Sequence, residues 1–192
     1  MKRIEYFGLK WRAILWLVLG RSDNALKALD TILQHLPNDG YALSSRVNLH
    51  MQAKRTDAAL VDSLRLVELR SEDAAAWFNR GFVLESTERW DEALHAFSRA
   101  TELSPKLDRA WYGQGLVLIR LQRYEEAIVA LKRNTELQPM SPYGWYQLAR
   151  VHVDRREPEK AEQIIRHLKG FEPKVAAQLE RETGLLASTA PV

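Results

Sequence analysis

The side chains best suited by type to bind a metal or move a proton are five histidines, His35, His50, His95, His152 and His167. Their spacing supports neither role. None has a carboxylate or a second histidine in a pattern such as His-Glu-x-x-His, which sets two imidazoles on one helix face. The chain has no cysteine, so disulfides and thiolate-held zinc are excluded. Its nine glycines are scattered rather than gathered into a phosphate-cradling loop. The arginines, with aromatics among them, carry the chemistry of a stacking platform for a single nucleic-acid strand. Acids accompany them, however, as Arg21/Asp23, Arg55/Asp57, Arg89/Asp91 and Arg123/Glu125, and the formal net charge is only +3 over 192 residues. A non-enzyme with no metal or cofactor is expected, and nucleic acid is not the expected partner.

Length and composition leave room for a packed domain. At 46% apolar and 28% charged residues the chain can bury a core and is not a disordered type. Lys2, Arg3, Lys10 and Arg12 precede an apolar run from Ala13 to Leu19, which superficially resembles a short signal peptide. The run is far below the roughly 20 residues that span a bilayer. Only Gly20-Arg21-Ser22-Asp23 follows, with no small-x-small cleavage site. A cytoplasmic location is expected, with membrane association left open.

The elements that would position these groups emerge from an internal period. Ala25, Ala59, Ala93, Ala127 and Ala161 are spaced by 34 residues. They define five gapless repeats, 6–39, 40–73, 74–107, 108–141 and 142–175, in which these alanines occupy position 20. Position 18 is always acidic, and position 8 is Ala13, Val47, Gly81, Gly115 and Ala149. Position 4 reads Leu9, Leu43, Trp77, Trp111 and Trp145, and position 32 reads Pro37, Ser71, Pro105, Pro139 and Pro173. Apolar residues at helical spacing fill positions 1–14 and 18–30, so each repeat is two helices, A and B, with a polar break between them. Small residues at positions 8 and 20 allow close approach of the pair. The acid at position 18 is expected to cap helix B and complement its dipole. Proline at position 32 stops helix B, and Ser141-Pro142 reads as N-cap and first residue of the fifth helix A.

Trp77, Gly81, Ala93, Phe97, Ala100 and Pro105, followed by Trp111, Gly115, Ala127 and Pro139, resemble the tetratricopeptide repeat. The resemblance covers residues 6 to about 175. It departs at position 7, where arginine (Arg12, Arg46, Arg80) replaces the usual leucine, at Asn134, and at Ser63. It implies an all-α, right-handed α-solenoid of five helix-turn-helix repeats. A further helix at about 174–184 would cap it, giving one domain over 1–186 and a disordered tail at 187–192.

The same resemblance implies a concave groove lined by the A helices, and a function as a non-catalytic adaptor that holds a partner peptide or helix there. The alternative is a secretion or assembly chaperone that covers an apolar client segment. The groove positions hold Phe78, Phe82, Tyr112, Leu116, Ile119, Tyr143 and Tyr146, with Arg109 and Arg150 among them. Aromatics and arginines are the residue types that dominate interface hot spots. Some members of the family grip a carboxylate with five polar residues on successive A helices. Here those positions read Ser44, Asn48, Asn79, Arg109 and Gly113, so two cations are missing and an intact clamp is not expected. Asn48 and Asn79 can still bond a peptide backbone, and Arg109 can pair an acidic group.

The first helix is apolar nearly all round, and no preceding repeat is expected to cover it. Trp11, Ile14, Leu17 and Val18 are therefore expected to make a second contact, with another copy of the chain, a protein partner or a membrane surface.

Overall fold

The 34-residue frame is visible in where the helices begin. The computed structural model describes residues 3–186; the expected tail and Lys2 lie outside the described residues. Among the described residues there are eleven helices and no strand. They are α1 (Arg3–Val18), α2 (Ser22–His35), α3 (Gly40–Gln52), α4 (Thr56–Leu69), α5 (Ala74–Ser86), α6 (Trp90–Leu103), α7 (Asp108–Arg120), α8 (Tyr124–Leu137), α9 (Pro142–Asp154), α10 (Pro158–Lys169) and α11 (Pro173–Thr183). Helices α3, α5, α7 and α9 start on position 1 of their repeats, and every B helix starts on position 17. None of the described helices is long and apolar enough to cross a membrane.

The acid at position 18 is the second residue of its helix rather than the N-cap, so it can complement the dipole but does not cap. The N-cap residues of α2, α4, α8 and α10, namely Arg21, Arg55, Arg123 and Glu157, make no side-chain capping bond. True caps sit on two A helices, where Asp39 accepts from the Ala42 amide at 2.8 Å and Asp73 from the Ala75 amide at 2.9 Å. Three of the position-16 arginines have ion-pair partners other than the position-18 acid of their own repeat; Arg55 reaches Asp23 of the preceding repeat at 3.5 Å. Arg89 and Arg123 make bidentate contacts with Glu92 and Glu126 at 2.6–2.7 Å, one residue further on, which is the i,i+3 distance on a helix.

Three devices recur along the array. The turn residue at position 15 is left-handed in all five repeats: Gly20 (φ 68°), Lys54 (56°), Glu88 (58°), Gln122 (58°) and Arg156 (59°). At position 8, a Cβ added to Gly81 would lie 2.7 Å from the Phe97 ring, and one added to Gly115 would lie 2.7 Å from Leu131. Positions 8 and 24 are therefore complementary in size, and repeat 2 reverses the pair with Val47 and Ser63. The tryptophans at position 4 explain their own column. The indole N–H of Trp77, Trp111 and Trp145 donates to the carbonyl of Ser71, Pro105 and Pro139 at 2.8, 3.0 and 2.9 Å, tying the preceding loop to helix A.

The helices gather into two units, α1–α6 up to Leu103 and α7–α11 from Ser104. The first unit has a core built on Leu29, Ile32, Leu43, Leu49 and Leu66, against which Tyr6, Leu9 and Trp16 of α1 pack. The Tyr6 hydroxyl donates to Asp39 at 2.9 Å, and burial with that carboxylate pushes its pKa up to about 12. The second unit is built on Leu131, Leu148, Ile165, Leu168 and, from α11, Ala176 and Leu179.

The position-7 arginines have three different fates. Arg46 contacts Asp30 at 3.1 Å and the buried Asp62 at 3.0 Å, and His50 lies 3.8 Å from the same Asp62 oxygen. Burial raises the Asp62 pKa and lowers that of His50. Arg80 is buried and donates to the Leu60 carbonyl at 2.8 Å and to Ser63 at 3.1 Å. The small Ser63 thus makes room for the guanidinium. Arg12 is exposed and shares a shallow cleft with Trp16 and Lys27.

Candidate functional site

Position on helix A decides which side chains are left facing outward. In α7 and α9 the small positions 3 and 8 (Ala110 and Gly115, Gly144 and Ala149) are buried, which leaves Tyr112, Tyr143 and Tyr146 on the open side. These three tyrosines line one cavity of about 290 Å³ with Pro142, Gln147, Val175 and Gln178. Tyr143 is 69% exposed, so its ring is largely available to a ligand.

A second depression, of about 520 Å³, shares Tyr112 and Tyr143 and adds Asp108, Arg109, Asn134, Gln138 and Ser141. Gly144 is needed beside it, since a Cβ there would run into the Asn134 side chain. That side chain donates to the Asp108 carbonyl at 3.0 Å, which gives a use for the asparagine that departs from the family pattern. The two depressions offer apolar and aromatic walls with amide and guanidinium groups along one side. Such a surface suits an extended chain with apolar anchors.

Helix α11 forms one wall of the tyrosine cavity. The Tyr146 hydroxyl donates to Glu182 at 2.5 Å, Gln178 donates to the same carboxylate at 2.8 Å, and Arg150 reaches the Tyr146 oxygen at 3.4 Å. The Tyr146 and Gln178 bonds hold the Glu182 carboxyl below its usual range, and the Tyr146 bond raises the Arg150 pKa. Arg150 is thus tied to α9 and α11 rather than standing as an open cation. The sequence reading missed Pro142, Gln147, Val175 and Gln178. Val175 falls in the expected capping helix, and nothing in its local pattern shows that α11 turns toward α9.

Of the residues expected in the groove, Arg109, Tyr112, Tyr143, Tyr146 and Arg150 are brought together. Leu116 is half-buried, and Ile119 packs against the core of the second unit. The other four belong to the first unit. There Phe82 is 48% exposed and Asn48 is exposed. Phe78 is half-buried, with its ring centroid 5.9 Å from that of Phe97, so it serves hairpin packing. The Asn79 amide donates to Ser44 at 3.3 Å, and Gly113 is buried. At two of the three positions where the clamp carries a cation, this chain thus has the uncharged Ser44 and Gly113.

Four of the five histidines sit in packing contacts, and His35 is exposed. His50 and His152 are buried, and His152 Nδ1 lies 2.6 Å from Glu157, whose carboxyl is held low by that contact. His167 lies against the rings of Trp145 and Phe171, and His95 meets Trp77 edge-on.

Helical hairpins recurring at 34 residues, with the indole-to-loop bond repeated in three of them, define an all-α helical repeat protein. The chain belongs to the tetratricopeptide repeat family, whose sequence model matches residues 64–108, 83–133 and 112–170, together more than half of its length. No curated protein matches it in sequence. Among solved structures it is similar to MamA from Desulfovibrio magneticus RS-1, with 20% identity, a TM-score of 0.79, and 93% of this chain and 96% of that one covered. It is also similar to YrrB, described as a TPR protein with an unusual peptide-binding site, with 20% identity, a TM-score of 0.76 and 88% of each chain covered. A thermophilic TPR protein of Thermus thermophilus gives 18% identity and a TM-score of 0.69, over 94% of this chain and 100% of that one. At these identities the likeness is one of fold.

Proposed function

We propose that the chain is a non-catalytic protein-binding adaptor, and that it takes an extended or helical segment of its partner on the A-helix faces. The observation that carries this reading is the cavity walled by Tyr112, Tyr143 and Tyr146 with Pro142 and Val175. Three tyrosines converging on an apolar hollow supply large, rigid contact area at little entropic cost. The peptide-binding site named for YrrB supports a peptide as the ligand class. Arg109 supplies a cation for an acidic group of that peptide. In the first unit the exposed Phe82 and Asn48, with Asn79, contribute an apolar anchor and amides that can bond a peptide backbone. Of the α1 residues expected to make a second contact, Trp11, Leu17 and Val18 are exposed and Ile14 is half-buried; the exposed apolar face that includes Trp11 and Val18 is that contact.

The test is an affinity capture from the native host, comparing the wild type with a Tyr112→Ala/Tyr143→Ala variant and scoring co-purifying proteins by mass spectrometry. Tyr146 is left in place because it holds α11. A partner retained by the wild type and lost from the folded variant is the expected result. Partners that survive the double substitution unchanged would remove the tyrosine cavity from the reading, and an unchanged affinity in Asn79→Ala would remove the amide grip. The exposed Phe82 also suits a chaperone that covers an apolar client segment. A chaperone would suppress client aggregation, whereas an adaptor would bind a folded partner in a fixed ratio.

A further inference from the structure

We propose that the outward face of α1 is a docking surface for an anionic lipid bilayer, on which the helix lies flat. This rests on the reading of that face as a second contact and names what covers it. With 100° per residue, Ile4, Phe7, Trp11, Leu15 and Val18 fall in a sector of roughly 80°. All five are exposed, Ile4 at 86%, Trp11 at 68% and Val18 at 78%. Tyr6, Leu9, Ala13 and Trp16 lie on the opposite side and pack into the first unit's core. The helix thus has two apolar faces, of which the fold uses one.

The charges beside the unused face select its occupant. Arg3 and Lys10 lie along one edge, with Arg3 over the Phe7 ring at 5.8 Å and Lys10 over the Tyr41 ring at 4.3 Å. Along the other edge stand Arg12, which shares a cleft with Lys27 of α2, and Glu5, the one acid of the helix, about 20° from it. An apolar stripe with an exposed tryptophan and cations on both edges is the pattern of a helix lying in the headgroup region. A second copy brought face to face would set the same cations against each other, whereas anionic headgroups neutralise them. At 16 residues α1 extends about 24 Å, and no described helix is long and apolar enough to cross a membrane, so it lies in the plane of the surface.

The full chain would be sedimented with vesicles of phosphatidylcholine alone and of phosphatidylcholine mixed with phosphatidylglycerol, at low and high salt. The expected result is binding to the anionic vesicles that weakens with salt and is absent from the neutral ones. Trp11→Glu/Val18→Glu and, separately, Arg3→Glu/Lys10→Glu/Arg12→Glu should each lower that binding by about tenfold or more. All five positions are solvent-facing or at the edge of the face, and an unchanged circular dichroism spectrum checks that each variant is folded. Equal binding to neutral and anionic vesicles, or no binding to either, overturns the proposal. If no vesicle is bound but light scattering finds a dimer that Trp11→Glu/Val18→Glu dissociates, the occupant is a second copy and the second contact survives. A wild-type monomer that ignores both vesicles removes the lipid surface and self-association together.

Discussion

The second repeat and the fifth share a histidine in one seam column and fill the two columns beside it with opposite chemistry. In the α3–α4 hairpin of the first unit, positions 7, 11 and 23 hold Arg46, His50 and Asp62. In the α9–α10 hairpin of the second they hold Leu148, His152 and Ile164. The fifth repeat adds the fully buried Ile165 at position 24, where the second has Ser63. The backbone is indifferent to this exchange: both A helices run for 13 residues from position 1, and both turns are left-handed at position 15. Helix spacing and turn geometry therefore come from the small residues and the period, and the seam between helices is open to whatever fills its volume and satisfies its polar groups. Ion pairs and aliphatic packing are not equivalent in energy, however. An aliphatic seam gains from burial in proportion to area, whereas the ionic one loses hydration about as fast as it gains attraction.

The largest effect should come from unbalancing the ionic seam. Asp62→Ala leaves the half-buried Arg46 with only the exposed Asp30 and removes the counter-charge beside His50, so urea unfolding should show a loss of about 3–5 kcal/mol. Replacing the whole set with residues used in the same columns elsewhere in the chain, Arg46→Leu, His50→Leu and Asp62→Ile, should restore stability to the wild-type level or above. A loss below about 1 kcal/mol for the single change would mean that water reaches the cluster and that the two seams differ less than their composition implies.

Gly115 gives the converse test in the second unit. Its added Cβ would meet Leu131 at 2.7 Å, with no flexible polar end to move aside. Gly115→Ala should cost about 1–3 kcal/mol by overpacking. Combining it with Leu131→Ser should cost less than the two single changes together, because that pairing copies the Val47 and Ser63 arrangement of the first unit. Strict additivity in the double variant would show that positions 8 and 24 are not coupled.

The period, the helix pairing and most of the places where helices begin were legible in the sequence because each recurs from repeat to repeat, and a repeated constraint outvotes local noise; α1, which starts at Arg3 rather than Tyr6, is the exception. The capping assignment failed because a position-18 acid has the same sequence signature as an N-cap two residues from its true place. The arginines at position 7 were opaque for a different reason. Their partners are Asp30 and Asp62, 16 residues away on either side, and the Leu60 carbonyl, which no side-chain pattern announces. The tyrosine cavity was half legible. Tyr112, Tyr143 and Tyr146 follow from helix periodicity, but the wall supplied by Val175 and Gln178 depends on the direction α11 takes after Pro173, which is set by tertiary packing of Leu179 and by the Tyr146–Glu182 bond.

The smallest effect concerns what both units share. Lys54 and Glu88 in one, and Gln122 and Arg156 in the other, hold a left-handed backbone that costs a residue with a Cβ about 1–2 kcal/mol. Only the first repeat uses glycine there, at Gly20. Substituting glycine removes the steric cost but enlarges the freedom of the unfolded chain, which gives back about half of the gain. Lys54→Gly and Gln122→Gly should therefore each stabilise by about 0.5–1 kcal/mol, and by the same amount in thermal unfolding, since the turn geometry is the same in the two units. A gain in one and a loss in the other would mean that the Lys54 or Gln122 side chain makes a contact worth more than the backbone relief. The turn would then be as dependent on its surroundings as the seams are.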